Sequence, residues 1–290
     1  MPRLRLDLAY DGVAFAGSQV QPGQRTVQGT LETALATLNG TAVQATFAGR
    51  TDTGVHAIGQ VVHADVRRAE WSGEKWRQAL NALLPPEVRV LTARTVADGW
   101  HARYDACWRE YRYTVWNGPV LPPLARGTHW WVRGALDLAM MRRAARYLVG
   151  EYDFAAFAGD GKGVPGAVEA GHTTRLVRQA NWTAAKSPEP VAGISLTFSV
   201  EANGFLTHMV RNMVGALVAV GRGTHEPEML AALIAARDRR LAPPTAPPQG
   251  LTLWRVRYDD DDDDGETEGG NHDADDDEHD VLAEGGGSHA

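Results

Sequence analysis

The sequence predicts an α+β fold made of two similar halves that meet near residue 105. Three observations support this prediction. Segments that alternate between apolar and polar residues recur along the chain, capped helical segments lie between them, and each half has the order strand, helix, strands, helix. We therefore divide the chain into residues 1–105, residues 106–258 and an acidic tail, residues 259–290.

The first half combines three predicted strands with two helices. Thr26 can cap a helix that Gly40 ends, and Ser72 can cap a second helix that Pro85 and Pro86 stop. The predicted strands are residues 4–10, 60–66 and 88–95.

The second half also combines predicted helices and strands. Asp137 can cap a helix that Gly150 ends, a long helix is expected over about 206–220, and a shorter one begins near Pro227. The predicted strands are residues 109–116, 176–182, 194–200 and 251–258.

Composition indicates an ordinary soluble globular enzyme, with 43% apolar and 22% charged residues among 290. No apolar run approaches the roughly 20 residues needed to cross a bilayer, and the first residues contain no apolar core like that of a signal peptide. A single cysteine, Cys107, excludes an intramolecular disulfide. We expect a cytoplasmic protein with no membrane partner.

Charge is distributed unevenly along the chain. Residues 259–290 hold 15 of the 36 acidic residues and no Lys or Arg, so residues 1–258 carry 21 acidic against 29 basic residues, a net charge of +8. A basic body of this size is expected to attract polyanions such as nucleic acid. The alternative is that these charges are scattered and serve only solubility.

The acidic tail has few apolar residues and is predicted to be disordered. It can serve solubility or mimic a nucleic acid and compete for the basic body. His272, His279 and His289 could hold a metal loosely, but their spacing fits no closed site, so we expect no metal.

The most unusual segment is the glycine-framed stretch 48–57, which contains Arg50, Asp52 and His56. Glycines permit tight backbone geometry, so the segment is interpreted as a shaped loop that presents these three side chains. An aspartate there can be a nucleophile or a general base. The alternative is a turn in which Asp52 bonds to nearby backbone N–H groups.

A second candidate lies on the long, largely apolar helix. His208, Arg211 and Asn212 have the spacing i, i+3 and i+4, which puts them on one helix face. A guanidinium in such a helix needs an anionic partner. Arg211 can therefore form a structural ion pair, contact a phosphate, or hold a catalytic carboxylate ionised and oriented.

The third candidate is the strand segment 109–113, in which Arg and Tyr alternate. Arg109, Tyr111 and Tyr113 share one face, and Glu110 and Arg112 the other. Tyrosines beside arginines can stack on bases and bind phosphates. The alternative is an ordinary aromatic strand packed in a sheet.

Several classes of protein are excluded by what the sequence lacks. It has no glycine-rich dinucleotide motif, no phosphate-loop lysine motif, no Gly-x-Ser-x-Gly elbow and no Cys-x-x-Cys pair. Carboxylate chemistry on a nucleic acid without metal or cofactor fits best. A non-catalytic RNA-binding module is the alternative. A nucleosidase or glycoside hydrolase would need a second carboxylate, for which Asp65 is the nearest candidate.

At these positions the chain resembles the bacterial tRNA pseudouridine synthase A family, in order and without large gaps over about residues 3–258. No single tetrapeptide decides this, but the ordered series is very specific. The matching motifs are Tyr10-Asp11-Gly12, Phe15-x-Gly17-x-Gln19, Val27-Gln28-Gly29-x-Leu31-Glu32, Gly49-Arg50-Thr51-Asp52, Gly54-Val55-His56, Gln60-Val61-Val62-His63, His101-Ala102-Arg103-Tyr104, Tyr111-Arg112-Tyr113, Met209-Val210-Arg211-Asn212-Met213-Val214-Gly215, Pro244-Thr245-Ala246-Pro247 and Gly250-Leu251.

The resemblance implies roles for four residues. Asp52 matches the family's catalytic aspartate, Tyr111 the tyrosine that stacks on the target uracil, and Arg211 the arginine that pairs with the aspartate. Arg50 matches a loop arginine that contacts the flipped-out nucleotide or fills its space. Supporting positions are Thr51, His56 and His208.

The resemblance also implies the architecture and the partners. The fold would be pseudouridine-synthase-like: mostly antiparallel sheets of two halves joined into one extended sheet, with helices on one face and the active cleft between the halves. The enzymes are homodimers that isomerise uridines 38 to 40 of the tRNA anticodon arm without a cofactor. The sequence departs from the family at Thr53, where Ala is usual, and at Ser18, where an aromatic is common, and both are expected to alter local substrate fit.

Overall fold

A computed structural model describes residues 1–159, 172–186 and 192–259, and Met1–Asp259 forms one compact unit. The predictions for the acidic tail beyond Asp259, including its three histidines, lie outside the described residues. The helices found within the described part are α1 Val27–Asn39, α2 Gly73–Leu83, α3 Leu138–Ala145, α4 Met209–Gly221 and α5 Met229–Ala236. The strands are β1 Arg3–Tyr10, β2 Ala45–Phe47, β3 His56–Asp65, β4 Val88–Val96, β5 Ala106–Asn117, β6 Trp130–Val132, β7 Gly150–Asp153, β8 Thr174–Lys186, β9 Ile194–Ala202 and β10 Leu251–Tyr258.

All the strands of the described residues belong to one mixed sheet, so the predicted α+β class is confirmed. Its main path runs β4-β1-β3-β10-β5-β9-β8-β7, with β2 beside β3 and β6 beside β5. The pairs are antiparallel except β3 with β10 and β5 with β6. Strand β10 pairs with β3 at only two positions, Thr252 with His56 and Leu253 with Ala57, whereas it pairs with β5 from Leu251 to Tyr258.

The predicted helix caps are confirmed. The side chain of Thr26 accepts a hydrogen bond from the N–H of Gly29, and Ser72 and Asp137 cap α2 and α3 in the same way. Gly40 follows α1 with a φ of 73°, a left-handed conformation that glycine adopts without strain.

Several element boundaries differ from the sequence prediction. Helix α3 ends at Ala145 and passes into a short 3₁₀ turn, so Gly150 begins β7 instead of ending the helix. Strand β3 begins at His56 and not at residue 60. Strands β2, β6 and β7 were not predicted, because three or four residues are too few to display a period-2 pattern. No helix among the described residues combines the length and the apolar character that a membrane crossing requires.

The connection between β4 and β5 is fastened to the sheet by a buried polar and aromatic cluster. The ring Nδ1 of His63 accepts the N–H of Ala102 at 3.1 Å, and the hydroxyl of Tyr258 donates to the carbonyl of Ala102 at 2.6 Å. The guanidinium carbon of Arg5 lies 4.6 Å from the centre of the Tyr258 ring and 5.4 Å from that of Trp100. This turn is therefore a fixed part of the fold.

The buried His63 predicts a pH dependence of stability. Burial lowers the pKa of His63 to about 4, and the positive charges of Arg3 and His101 add to the effect. In the unfolded chain the pKa of the same side chain is about 6.5, so the protein takes up a proton on unfolding at pH values between the folded and the unfolded pKa. The free energy of unfolding should therefore fall as the pH drops from about 6.5 towards about 4.

Denaturant-induced unfolding at pH 7 and at pH 5 measures how the free energy of unfolding depends on pH. His63→Asn retains an acceptor for Ala102 but does not titrate, so it should lose less stability between the two pH values than the wild-type chain. An equal loss of stability in both proteins between pH 7 and pH 5 would show that His63 does not contribute to the pH dependence.

Candidate active site

Asp52 lies in the loop between β2 and β3, and several buried polar contacts fix that loop. The side-chain amide of Gln60 donates to the carbonyl of Gly49 at 3.0 Å, and the hydroxyls of Thr51 and Tyr10 are 2.8 Å apart. Thr51, a predicted supporting residue, is buried and bonded within the protein. The stretch is thus the shaped loop that its two glycines predicted.

Ser18 provides a further anchor for this loop. Its hydroxyl accepts the N–H of Thr51 at 2.9 Å, and its own N–H donates to the carbonyl of Thr51 at 3.0 Å. Ser18 is only 1% exposed, so it supports the loop from within the protein and does not form a substrate-facing surface. Thr53, the second departure from the family pattern, is exposed.

We predict that Ser18→Ala destabilises the protein and lowers its activity. The buried N–H of Thr51 would lose its acceptor, which costs about 1–3 kcal/mol. Thr53→Ala is the matched control, because an exposed substitution usually changes stability by less than about 0.5 kcal/mol. Urea unfolding of both variants measures the difference, and equal midpoints would contradict the anchoring role.

The carboxylate of Asp52 is held through one of its two oxygens. Its Oδ2 lies 3.1 Å from Nη1 of Arg211 and 3.4 Å from Nε2 of His208. Its Oδ1 has no hydrogen bond or ion pair with any residue that the structure describes. The Asp52 side chain is 32% exposed and that of Arg211 only 15%, so the pair lies at the floor of an accessible site. One oxygen is fixed and the other is free to act.

Arg211 is itself fixed by the proline-rich segment before β10. Its Nε donates to the carbonyl of Ala246 at 2.8 Å, and the N–H of Ala246 donates back to the carbonyl of Arg211 at 3.1 Å. Asn212 binds the same segment through Thr245, whose hydroxyl is 2.7 Å from its Oδ1. A Cβ on Gly215 would lie 2.1 Å from the carbonyl oxygen of Pro244, so only glycine permits this close approach.

The prediction that His208 shares one helix face with Arg211 and Asn212 is wrong. It has a φ of 60° and precedes α4, which begins at Met209 and not near residue 206. This left-handed conformation is rare for a non-glycine residue and turns the ring towards Asp52. A Cβ on Gly159 would lie 2.6 Å from the ring, so that glycine leaves room for it.

Tyr111 lies near the carboxylate and packs against a second aromatic ring, that of Phe205. Tyr111 is 8% exposed, and its ring meets that of Phe205 edge to face at 5.1 Å. Burial raises the pKa of the Tyr111 hydroxyl, and the nearby charges of Tyr10 and Asp52 raise it further. The hydroxyl is therefore protonated at neutral pH, and it has no hydrogen-bond partner among the residues that the structure describes. Phe205 was missed because an isolated aromatic before a helix carries no distinctive sequence signal.

The other residues of the Arg–Tyr strand are used within the protein. The Arg109 guanidinium donates to the backbone carbonyls of Ala106, Asn203 and Arg103. Arg112 bonds to Glu110 and lies over the ring of Trp254. Tyr113 is fully buried. The alternation of faces is confirmed, but these arginines are engaged in the fold and are not free for phosphates.

Arg50 and His56 are not brought onto the Asp52 carboxylate. Arg50 is exposed, and within the described ranges it has no hydrogen bond or ion pair. His56 is buried at the start of β3, where Nδ1 lies 3.2 Å from the N–H of Gly12 and Nε2 lies 2.7 Å from the carbonyl of Gly127. It ties two loops together, while Arg50 remains available at the surface beside the site.

Asp65 does not supply a second carboxylate to this site. It is the last residue of β3, nine positions after His56. It forms a two-point ion pair with Arg3, at 2.8 and 3.0 Å. The described part of the chain also contains no cluster of His, Cys, Asp and Glu that could hold a metal ion.

The fold and the site thus define an α+β protein in which Arg211 holds a partly exposed aspartate carboxylate near a buried tyrosine. Comparison with known proteins identifies the family. The profile described as "tRNA pseudouridine synthase" matches residues 8–105 and 144–259, more than half of the chain, and the chain belongs to this family.

Three curated relatives, all named "tRNA pseudouridine synthase A", match over most of their length. The protein from Solidesulfovibrio magneticus is 50% identical, with 89% of this chain and 92% of the relative covered. Those from Bordetella petrii and Methylobacillus flagellatus are 42% and 43% identical, covering 93% and 92% of this chain and 96% and 97% of the relatives.

Proposed function

We propose that this chain isomerises uridine to pseudouridine in tRNA, with Asp52 as its catalytic carboxylate. The observation that carries the proposal is the Asp52 site: Arg211 and His208 hold Oδ2 of a carboxylate whose side chain is 32% exposed and whose charge acts on the nearby Tyr111. The names of the relatives supply the substrate class and the reaction.

The reaction requires little beyond a well-placed carboxylate. The N1–C1′ glycosidic bond breaks, the uracil turns, and a C5–C1′ bond forms, while the proton on C5 leaves and N1 gains one. No atom or electron is gained or lost overall, so the balance needs no redox cofactor. Free Oδ1 is the atom of Asp52 that acts. Attack on C1′, attack on C6, and removal of the C2′ proton remain three routes open to it.

The target nucleotide must leave its helical stack to reach Asp52, which costs a few kcal/mol. Tyr111 offers an aromatic surface for the extruded uracil. Arg50, exposed at the edge of the same loop and unpaired within the described residues, is suited to contact the flipped nucleotide or to fill the space it leaves. In this proposal the protonated Tyr111 hydroxyl also assists transfer of the C5 proton.

The finer predictions from the resemblance belong to the same proposal. They are action at positions 38 to 40 of the anticodon arm, a homodimer that binds one tRNA across both subunits, and a cytoplasmic location. They also include the division into two halves near residue 105, with helices on one face of the sheet. The parallel junction of β3 with β10, where strands from the two predicted halves meet, supports that division.

One assay separates this proposal from the two other classes. The purified chain is incubated with unmodified tRNA, and the nucleosides are separated after complete digestion. Pseudouridine is the expected product. Free uracil would indicate a nucleosidase, and unchanged tRNA that still binds would indicate an RNA-binding module. Transcripts with a single uridine at position 38, 39 or 40 then test the positions.

A further inference from the structure

An exposed tyrosine in the turn before β5 lacks a role in the chemistry described so far. Tyr104 lies in the turn between β4 and β5 and is 76% exposed. Its ring stacks on the ring of His101, with centroids 4.2 Å apart and planes inclined by only 24°. Because one face rests on His101 and most of the side chain is exposed, the other face is open to solvent.

The stacked pair is held in place before any ligand binds. Nδ1 of His101 accepts the N–H groups of Arg103 and Tyr104, at 3.1 and 3.2 Å. The His101 ring packs against that of His63 at 4.7 Å, and the carboxylate of Asp105 accepts the N–H of His101 at 2.8 Å. A ring ordered in this way loses little conformational freedom when something stacks on it.

The turn adjoins the Asp52 loop through one guanidinium group. Nη2 of Arg109 donates to the carbonyl of Arg103 at 2.7 Å and lies 3.4 Å from that of Ala48, the residue at the start of the loop. Arg109 is also two residues from Tyr111 on the same strand face. The turn that carries Tyr104 is therefore linked, through Arg109, to the start of the loop that carries Asp52.

Two exposed arginines lie on this turn and on the adjoining loop, and one exposed carboxylate, that of Asp105, follows the ring in the chain. Arg103 is exposed, and its guanidinium carbon lies 6.0 Å from the centre of the Tyr104 ring. Arg50 is exposed on the adjoining loop. Single-stranded nucleic acid is bound by this combination of aromatic rings, on which bases stack, and arginines, which bind phosphates.

We propose that Tyr104, backed by His101, is a stacking platform for one unpaired RNA base that flanks the target uridine. The platform rests on the proposed function, because it assigns a second nucleotide to the same substrate. Tyr104 takes no part in the chemical step. It binds the RNA strand after the target base has left the stack and so holds the opened strand beside Asp52.

The test measures the Kd of an anticodon-arm RNA hairpin in the Asp52→Asn background, so that binding is read without turnover. Tyr104→Ala should weaken binding by roughly 5- to 150-fold, the range found when a stacking aromatic is truncated. Tyr104→Phe keeps the ring and should stay within about twofold. Tyr152, another exposed tyrosine, lies on β7 at the far edge of the sheet, so Tyr152→Ala is the matched control and should have no effect.

Single abasic substitutions in the hairpin loop identify the base. One position next to the target should weaken binding to the parent protein but not to Tyr104→Ala, because the contact is already lost there. A Tyr104→Ala variant that binds the hairpin as tightly as the parent overturns the platform, even if the wild-type chain forms pseudouridine. If the wild-type chain forms none but Tyr104→Ala still loses affinity, Tyr104 binds an RNA base, but the proposed function falls and with it the assignment of that base to a neighbour of the target uridine.

Discussion

Asp52→Asn is expected to abolish pseudouridine formation while leaving tRNA affinity within about tenfold, or ~1.4 kcal/mol. Asparagine has almost the same shape as aspartate, so the loop anchored by Ser18, Tyr10 and Gln60 should keep its conformation. The neutral amide, however, can act neither as a nucleophile nor as a base. The change therefore removes the reactive oxygen and little else.

The measurement combines single-turnover pseudouridine formation with equilibrium binding to unmodified tRNA. Asp65→Asn is the matched control, since it makes the same chemical change on a carboxylate that is paired with Arg3 far along β3. It should retain normal activity. Pseudouridine formation by purified Asp52→Asn, free of wild-type enzyme, would refute the assignment of Asp52.

Arg211→Leu is expected to have the second-largest effect. Leucine fills much of the same space but removes the guanidinium that lies 3.1 Å from Asp52 and 2.8 Å from the carbonyl of Ala246. Loss of a hydrogen bond to a charged group costs about 1.5–3 kcal/mol, which corresponds to a rate loss of roughly 10- to 150-fold. We expect the upper end of this range, because His208 alone would then hold the carboxylate oxygen.

Arg211→Lys distinguishes charge from geometry. It retains a cation but cannot contact Asp52 and Ala246 together with one planar group, so an intermediate rate is expected. Urea unfolding of both variants separates loss of stability from loss of activity. A near-normal rate for Arg211→Leu would mean that the ion pair serves the fold and not the reaction.

Local features of the fold were predictable because their causes are local. Thr26, Ser72 and Asp137 cap the helices that follow them, since a side-chain oxygen needs only the next few N–H groups. The alternation on β5 likewise follows from the pleat of a single strand. Short strands such as β2 escaped prediction, because long-range pairing and not a local pattern defines them.

Distant contacts decided how the site is built. Ser18 differs from the family pattern and was expected to affect substrate fit, but it is buried beneath the Asp52 loop. The fixed oxygen of Asp52 depends on a left-handed His208, a conformation that residue type alone does not indicate. Neither feature has a sequence signature, because each depends on which segment packs against which.

The sequence by itself determined the helices, most of the strands, the family resemblance and the candidate residues Asp52, Tyr111 and Arg211. Only the tertiary structure decided that Arg211 meets Asp52 across 159 positions of the chain, that Oδ1 has no partner among the described residues, and that Tyr104 stacks on His101. The physical reason is the range of the interactions. Caps and periodicity act between residues a few positions apart, whereas an ion pair between residues far apart in the chain exists only after the fold has brought their segments together.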